Sequence, residues 1–189
     1  MFTVAIVVGS LRKDSSNLKL ARALEKLAAG KLKFNYIKIG DLPLFNQDLE
    51  GNVPASVSTL KKEIESADAV LFVTPEYNRS IPGVLKNAID WASRPYGNNS
   101  WSGKPAAIAG ASPGAVGTGI AQAHLRSITS GFLNMPTMGQ PELYFTFKDD
   151  LVDAEGNVSN EGTVKFLQSY VDTFTGWIST HSQAKSKAA

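Results

Sequence analysis

The sequence predicts an α/β fold in which a parallel five-stranded sheet carries helices on both of its faces. Three observations predict it. Short, unbroken apolar runs recur, "VAIVV" at 4–8, "AVLFVT" at 69–74 and "AAIAGA" at 106–111, as strands buried on both faces require. Segments with helical spacing of apolar residues alternate with them. Turn-forming and hydroxyl residues gather just after each run. Strict alternation implies parallel strands, because a parallel neighbour is reached only through a crossover of helix length.

The elements follow in order. Strand one is 4–8. Leu20, Leu24 and Leu27 mark the first helix, and Gly30 ends it. "KFNYIKI" (33–39) reads as a second, more exposed strand. Val57, Leu60, Ile64 and Ala67 mark the second helix and lead into strand three, 69–74. Leu85, Ala88, Ile89 and Ala92 mark the third helix, with Pro82 in its first turn, where a missing N–H does no harm. Strand four is 106–111, and Ala121, Leu125, Ile128 and Phe132 mark the fourth helix. "PELYFTF" (141–147) holds the last strand. Leu167, Tyr170, Val171, Phe174, Trp177 and Ile178 give the last helix a broad apolar face. No repeat, linker or compositional break divides residues 1–189, so one domain is expected, with a tail that frays from about 181. The longest irregular segments are 40–55, 93–104 and 146–161; loops of that length inside an α/β domain are often functional.

Composition narrows the function. The 189 residues are 43% hydrophobic and 19% charged, with a formal charge of +2. That is a globular balance, too mild for a nucleic-acid partner. There is no cysteine, which removes disulfides, thiolate metal sites and Cys nucleophiles and suits a reducing compartment. No apolar run approaches the ~18 residues of a membrane span, and Arg12–Lys13 follow the first apolar stretch rather than precede it, the reverse of a secretory signal. A cytoplasmic protein is expected.

Ligands on open parallel sheets bind beyond the carboxyl ends of the strands. The loop after strand one is "GSLRKDSSN" (9–17). Gly9 allows a sharp turn, Ser10, Ser15, Ser16 and Asn17 supply short donors, Arg12 supplies a forked cation, and the next helix adds free N–H groups. Donors converging on one small anion suit a phosphate. A plain helix cap would explain one Ser or Asn but not the Arg beside it. A Walker A motif is absent, since "GNNSWSGKP" has one residue too many and Pro after the Lys; GxGxxG after strand one is absent too. Hydroxyls in place of glycines favour a terminal phosphate monoester. The loop after strand three is "PEYNRSIPG" (75–83). Pro75, Tyr77 and the backbone of Glu76–Asn78 can line a flat heterocycle, while the plainer reading is a proline-bounded turn with Ser80 capping the third helix. The loop after strand four, "ASPGAVGTG" (111–119), lies within a stretch holding Gly110, Gly114, Gly117 and Gly119. They would let backbone approach a planar ligand or simply form a flexible connection. Jointly the loops describe a phosphate cradle beside a flat pocket, the shape of flavin mononucleotide.

"GSLRKDSSN", "PEYNRSIPGVLKNAIDWASR" (75–94) and "ASPG" together resemble the NAD(P)H-dependent FMN reductase family, and within it the bacterial quinone and chromate reductases. The resemblance runs to about residue 145 and, in outline, through the last helix. It implies a flavodoxin-like three-layer sandwich with strand order 2-1-3-4-5, noncovalently bound FMN, NADPH or NADH as the electron donor, and a homodimer or homotetramer. Carried over by position, it implies that Ser10, Arg12, Ser15 and Asn17 hold the phosphate, with Leu11 and Ser16 adding backbone. Pro75, Glu76, Tyr77 and Asn78 would line the isoalloxazine, and Ser112 and Gly114 would close its other side.

The implied activity is two-electron reduction of quinones by ping-pong hydride transfer through FMN, with chromate and azo compounds as further acceptors. Neither a metal nor a protein nucleophile is called for, and no residue is assigned a catalytic role. Tyr77 is read as shaping the pocket, because a phenol is a poor proton relay at neutral pH. His124 and His181 are read as surface or packing residues and Trp91 as core. Tyr96 and Trp101 are expected to be exposed at a subunit contact. Two alternatives share the cofactor. A flavodoxin-type electron carrier would need a charged docking face, usually strongly acidic, and would stabilise a blue semiquinone. A flavin reductase would release free reduced FMN to a partner, and exchangeable FMN would reveal it.

Overall fold

Two buried faces explain why the strands read as unbroken apolar runs. In the computed structural model, which describes residues 1–148 and 150–188 with side chains through 182, five parallel strands form one sheet. These are β1 (Phe2–Val8), β2 (Leu32–Tyr36), β3 (Ala69–Val73), β4 (Ala106–Ser112) and β5 (Leu143–Thr146), in the order β2-β1-β3-β4-β5. Alternate residues point to opposite sides. Val4, Ile6, Leu71, Val73, Ala107 and Ala109 face α1 (Ser16–Leu27) and α5 (Glu161–Ala188). Ala5, Val7, Val70, Phe72, Ala106 and Ile108 face α2 (Ala55–Ser66), α3 (Gly83–Ala92) and α4 (Gly119–Thr129). The predicted flavodoxin-like sandwich is therefore the observed one.

Four local expectations change. β2 ends at Tyr36, not at 39. Ile37 still donates its N–H to Ile6 O at 2.9 Å, but Ile37 and Ile39 then turn under the face covered by α2 and α3. α4 ends at Thr129, so Phe132 is 81% exposed, and Leu133, at 1%, takes the buried place expected for it. Pro82 is the extended residue just before α3 rather than part of its first turn. Trp101 is fully buried: its Nε1 donates to Ile89 O at 3.1 Å and its ring lies 5.4 Å from that of Phe72. An indole with both a partner and a ring neighbour belongs to the core. Tyr96, by contrast, is 91% exposed. The expected fraying from 181 concerns mainly residues 183–189, which fall outside the described side chains.

The long loops are tied down. Asn87 and Trp91 of α3 both donate to Pro43 O, and Asn87 Oδ1 accepts from Phe45 N, which holds 40–55 against α3. Lys61 donates to Arg94 O and Asn98 O at 2.7 Å each, and Arg94 pairs with Glu50 at 2.6 Å, which fixes the loop carrying Tyr96. Desolvation lowers the Lys61 pKa from its ordinary value. In 146–161, Val152 and Val158 form a bridge, and Arg22 on α1 donates to Ala154 O at 2.6 Å.

Candidate cofactor-binding site

The connections leaving β1 and β3 run in opposite directions along the sheet, and a cavity of about 120 Å³ opens at the carboxyl ends beside that point. Ser10, Arg12, Ser15, Ser16 and Asn17 line one side, Pro75, Glu76 and Tyr77 another, and Ala111, Ser112 and Pro113 a third. All three predicted loops meet there. Close approach of the first two is possible because residue 9 is glycine. A Cβ at Gly9 would stand 3.2 Å from Thr74 Oγ1 and 3.3 Å from Pro75 Cδ.

The loop after β1 gathers groups that could hold an anion. Ser15 caps α1, accepting from Leu18 N at 3.2 Å, so the plain capping role is real, yet it occupies only that acceptor. The first-turn N–H groups of the helix remain without intrahelical partners, and the positive end of its dipole lies there. Arg12 is exposed at the cavity edge, and its guanidinium has no hydrogen-bond or ion-pair partner among the described residues. Asp14, the one acid in the loop, pairs with Lys19 at 2.6 Å. That hydrogen bond holds the Asp14 carboxyl below its usual range, with Arg12 adding a smaller part. The acid is thus matched by a Lys, and Arg12 could meet an anion at the cavity edge.

Asn17 is placed differently from its reading as a phosphate donor. It is 3% exposed; its Nδ2 donates to Ala111 O and its Oδ1 accepts from Ala111 N, both at 2.9 Å. Both ends of the amide are spent on joining the start of α1 to the end of β4. Only its backbone N–H is left to face an anion.

After β3, Pro75, Glu76 and Tyr77 line the cavity, and the loop that follows is braced from within. Tyr77 and Ser80 exchange two backbone hydrogen bonds of 3.0 Å across a tight turn whose central residues, Asn78 (φ 50°) and Arg79 (φ 62°), are left-handed. Such conformations in non-glycine residues cost about 1–3 kcal/mol each and gather at functional sites. Ser80 does not cap α3, since no side chain does; its hydroxyl meets His124 Nδ1 at 3.1 Å. His124 is a surface residue on α4, as expected. His181 lies against Trp177, with ring centroids 4.1 Å apart.

Gly110, inside β4, and Gly117, after it, are required by packing. A Cβ at Gly110 would fall 1.9 Å from Thr118 Oγ1 and 2.4 Å from Thr74 O. Gly117, at φ +60°, lies against Tyr144. Ser112 Oγ donates to Gly117 O at 2.6 Å and accepts from Gly114 N at 3.2 Å, which shapes the loop from within. Gly114 and Asn78 lie outside the lining of the cavity. Leu11 lines the neighbouring groove formed with Gly9, Arg12, Tyr77, Pro82, Gly83 and Val84. Ala111 and Pro113 do line it, unforeseen because an alanine and a proline carry no chemical signature of a ligand in the sequence.

These features match known proteins. Residues 2–150 match the family described as NADPH-dependent FMN reductase. A 2-hydroxy-1,4-benzoquinone reductase of Burkholderia is 50% identical over 175 residues, 93% of this chain and 95% of that protein. A quinone reductase of Pseudomonas putida is 50% identical over 179 residues, 94% and 95% respectively. Among solved structures, the flavoenzyme NAD(P)H:(acceptor) oxidoreductase FerB of Paracoccus denitrificans superposes with a TM-score of 0.93 at 53% identity, covering 96% of this chain and 99% of that one.

Proposed function

The chain belongs to the NADPH-dependent FMN reductase family, and from that premise we propose that it is a quinone reductase drawing electrons from NADH or NADPH. One observation supports the placement of FMN above all: Arg12, unpartnered among the described residues, and the open first turn of α1 face a cavity whose other walls are residues 75–77 and 111–113. Arg12, Ser10, Ser15 and the N–H groups of Ser16 and Asn17 would hold the phosphate. Pro75–Tyr77 and Ala111–Pro113 would flank the ring, with Leu11, Asn78, Ser112 and Gly114 supporting those walls.

Two-electron chemistry between nicotinamide and acceptor is supplied by FMN when it is bound. The chain's own contribution is proximity and orientation: rigid walls and one open side that nicotinamide and quinone use in turn. Tyr77, 47% exposed at that side, offers a ring face rather than a proton path. No helix among the described residues is long and apolar enough to cross a membrane, and a cytoplasmic location is part of this reading.

Purified protein should carry a flavin absorbance spectrum and oxidise NADH or NADPH with a quinone panel, with the parallel-line kinetics of a ping-pong cycle. Protein that neither takes up FMN nor couples the two substrates would overturn the reading. Arg12→Ala should weaken FMN by about 1.5–3 kcal/mol, the range for a hydrogen bond to a charged group. Unchanged affinity by calorimetry would remove Arg12 from the phosphate site.

The open side also supports a homodimer, with a dimer of dimers as its extension. Tyr96 and Leu44 are 91% and 84% exposed on the two loops that Lys61, Glu50, Asn87 and Trp91 hold rigid. Rigid, exposed apolar side chains suit a protein contact. Tyr96→Asp should raise the dimer dissociation constant about tenfold or more, read by light scattering across a concentration series. A wild-type monomer at micromolar concentration with full activity would refute the dimer.

A further inference from the structure

We propose that the Glu76 carboxylate is a positioning group for the flavin ring, acting through α4; the inference rests on the FMN reading above. Glu76 lines the cavity, and its carboxylate bonds to the start of α4. Oε2 accepts from Ile120 N at 3.0 Å and Ala121 N at 3.1 Å, and Oε1 faces Arg79 Nη1 at 3.4 Å. The side chain is only 11% exposed, whereas that of Arg79 is 71% exposed. The two N–H bonds are therefore the sheltered, charge-assisted part of the arrangement.

α4 needs this partner. Thr118 stands at its N-terminus but makes no side-chain cap; its Oγ1 accepts from Gln122 Nε2 at 2.9 Å. The orphan N–H groups of the first turn are met instead by a carboxylate 44 residues earlier in the chain. A closed circuit results. It runs from the end of β3 through Glu76 to α4, back along 113–118, and to the end of β4. The walls at 75–77 and 111–113 sit on opposite sides of that circuit. Its closing bond sets the width of the slot between them. Ser80 and His124 form a second tie between the same loop and the same helix.

A residue that sets slot width acts on the ring and not on the phosphate. Riboflavin, which lacks the phosphate, therefore separates the two roles. Glu76→Ala should weaken FMN and riboflavin by the same factor, about tenfold or more, and should alter the visible spectrum of the bound flavin. Glu76→Asp, one methylene too short to reach α4, should do the same. Glu76→Gln keeps an oxygen for both N–H groups and should stay within about threefold of wild type. Binding is measured by fluorescence titration of apoprotein well below each variant's melting temperature. Should the Ala variant not fold, the Asp and Gln pair decides. Wild-type riboflavin affinity in the Ala or Asp variant, or a loss confined to FMN, overturns the proposal. So does equal damage from Gln and Asp. Wild-type protein that binds neither flavin overturns the functional reading itself, a result distinct from any of these.

Discussion

Gly110→Ala is expected to cost at least about 3 kcal/mol of stability, the upper range for overpacking a core. The glycine is buried in β4, paired with Tyr144 of β5. Its missing Cβ leaves room for Thr118 Oγ1, which would be 1.9 Å away, and for the backbone carbonyl of Thr74, at 2.4 Å. A hydroxyl can rotate aside, but then Gln122 loses a buried partner. The Thr74 carbonyl cannot move without shifting the end of β3, because Thr74 N is bonded to Ala109 O at 2.9 Å. The clash therefore moves both walls of the proposed flavin slot, and loss of FMN should accompany loss of stability. Urea unfolding of apoprotein measures the first and flavin titration the second. A variant within about 1 kcal/mol of wild type would show that the strands yield far more easily than their hydrogen bonding implies.

Asn17→Ala should cost about 2–4 kcal/mol in the apoprotein. The substitution strands Ala111 N and Ala111 O, both in a buried setting, and each unpaired group carries about 1–3 kcal/mol of desolvation. For a chain of this size that corresponds to a fall in melting temperature of roughly 5–15 °C. Asn17→Asp should be no better, since its carboxylate accepts from Ala111 N but faces Ala111 O without a donor. The observation that matters is the flavin-free protein. A side chain that served only the phosphate would leave apoprotein stability unchanged and lower FMN affinity alone. That result would return Asn17 to the role its position in "GSLRKDSSN" suggests.

Asn17 and Glu76 show where sequence reading reaches its limit. Both stand in loops whose composition announces a ligand: Asn17 reads as a phosphate donor and Glu76 as backbone lining a flat ring. Their side chains instead join elements 94 and 44 residues apart. Residue type states what a group can bond to, and an amide or carboxylate bonds equally well to a cofactor or to a backbone N–H. Which one it meets depends on distance in three dimensions. Trp101 errs in the same direction: a loop aromatic looks exposed until Phe72 and Ile89 are seen around it.

The sheet needed no such information. Apolar runs of strand length, helical spacing between them and glycine or proline at their ends are local properties. Burial on both faces leaves an imprint on every residue of a strand. The converging loops were legible for a related reason, since a parallel α/β sheet always delivers alternate loops to one edge. The sequence by itself thus determined the architecture, the edge of the sheet that carries the site and the three segments that form it. Tertiary structure alone decided which side chains in those segments face the cavity and which hold its walls. Hydrophobic patterning is written along the chain with a fixed period. A hydrogen bond between distant loops is written only in the geometry that packing produces.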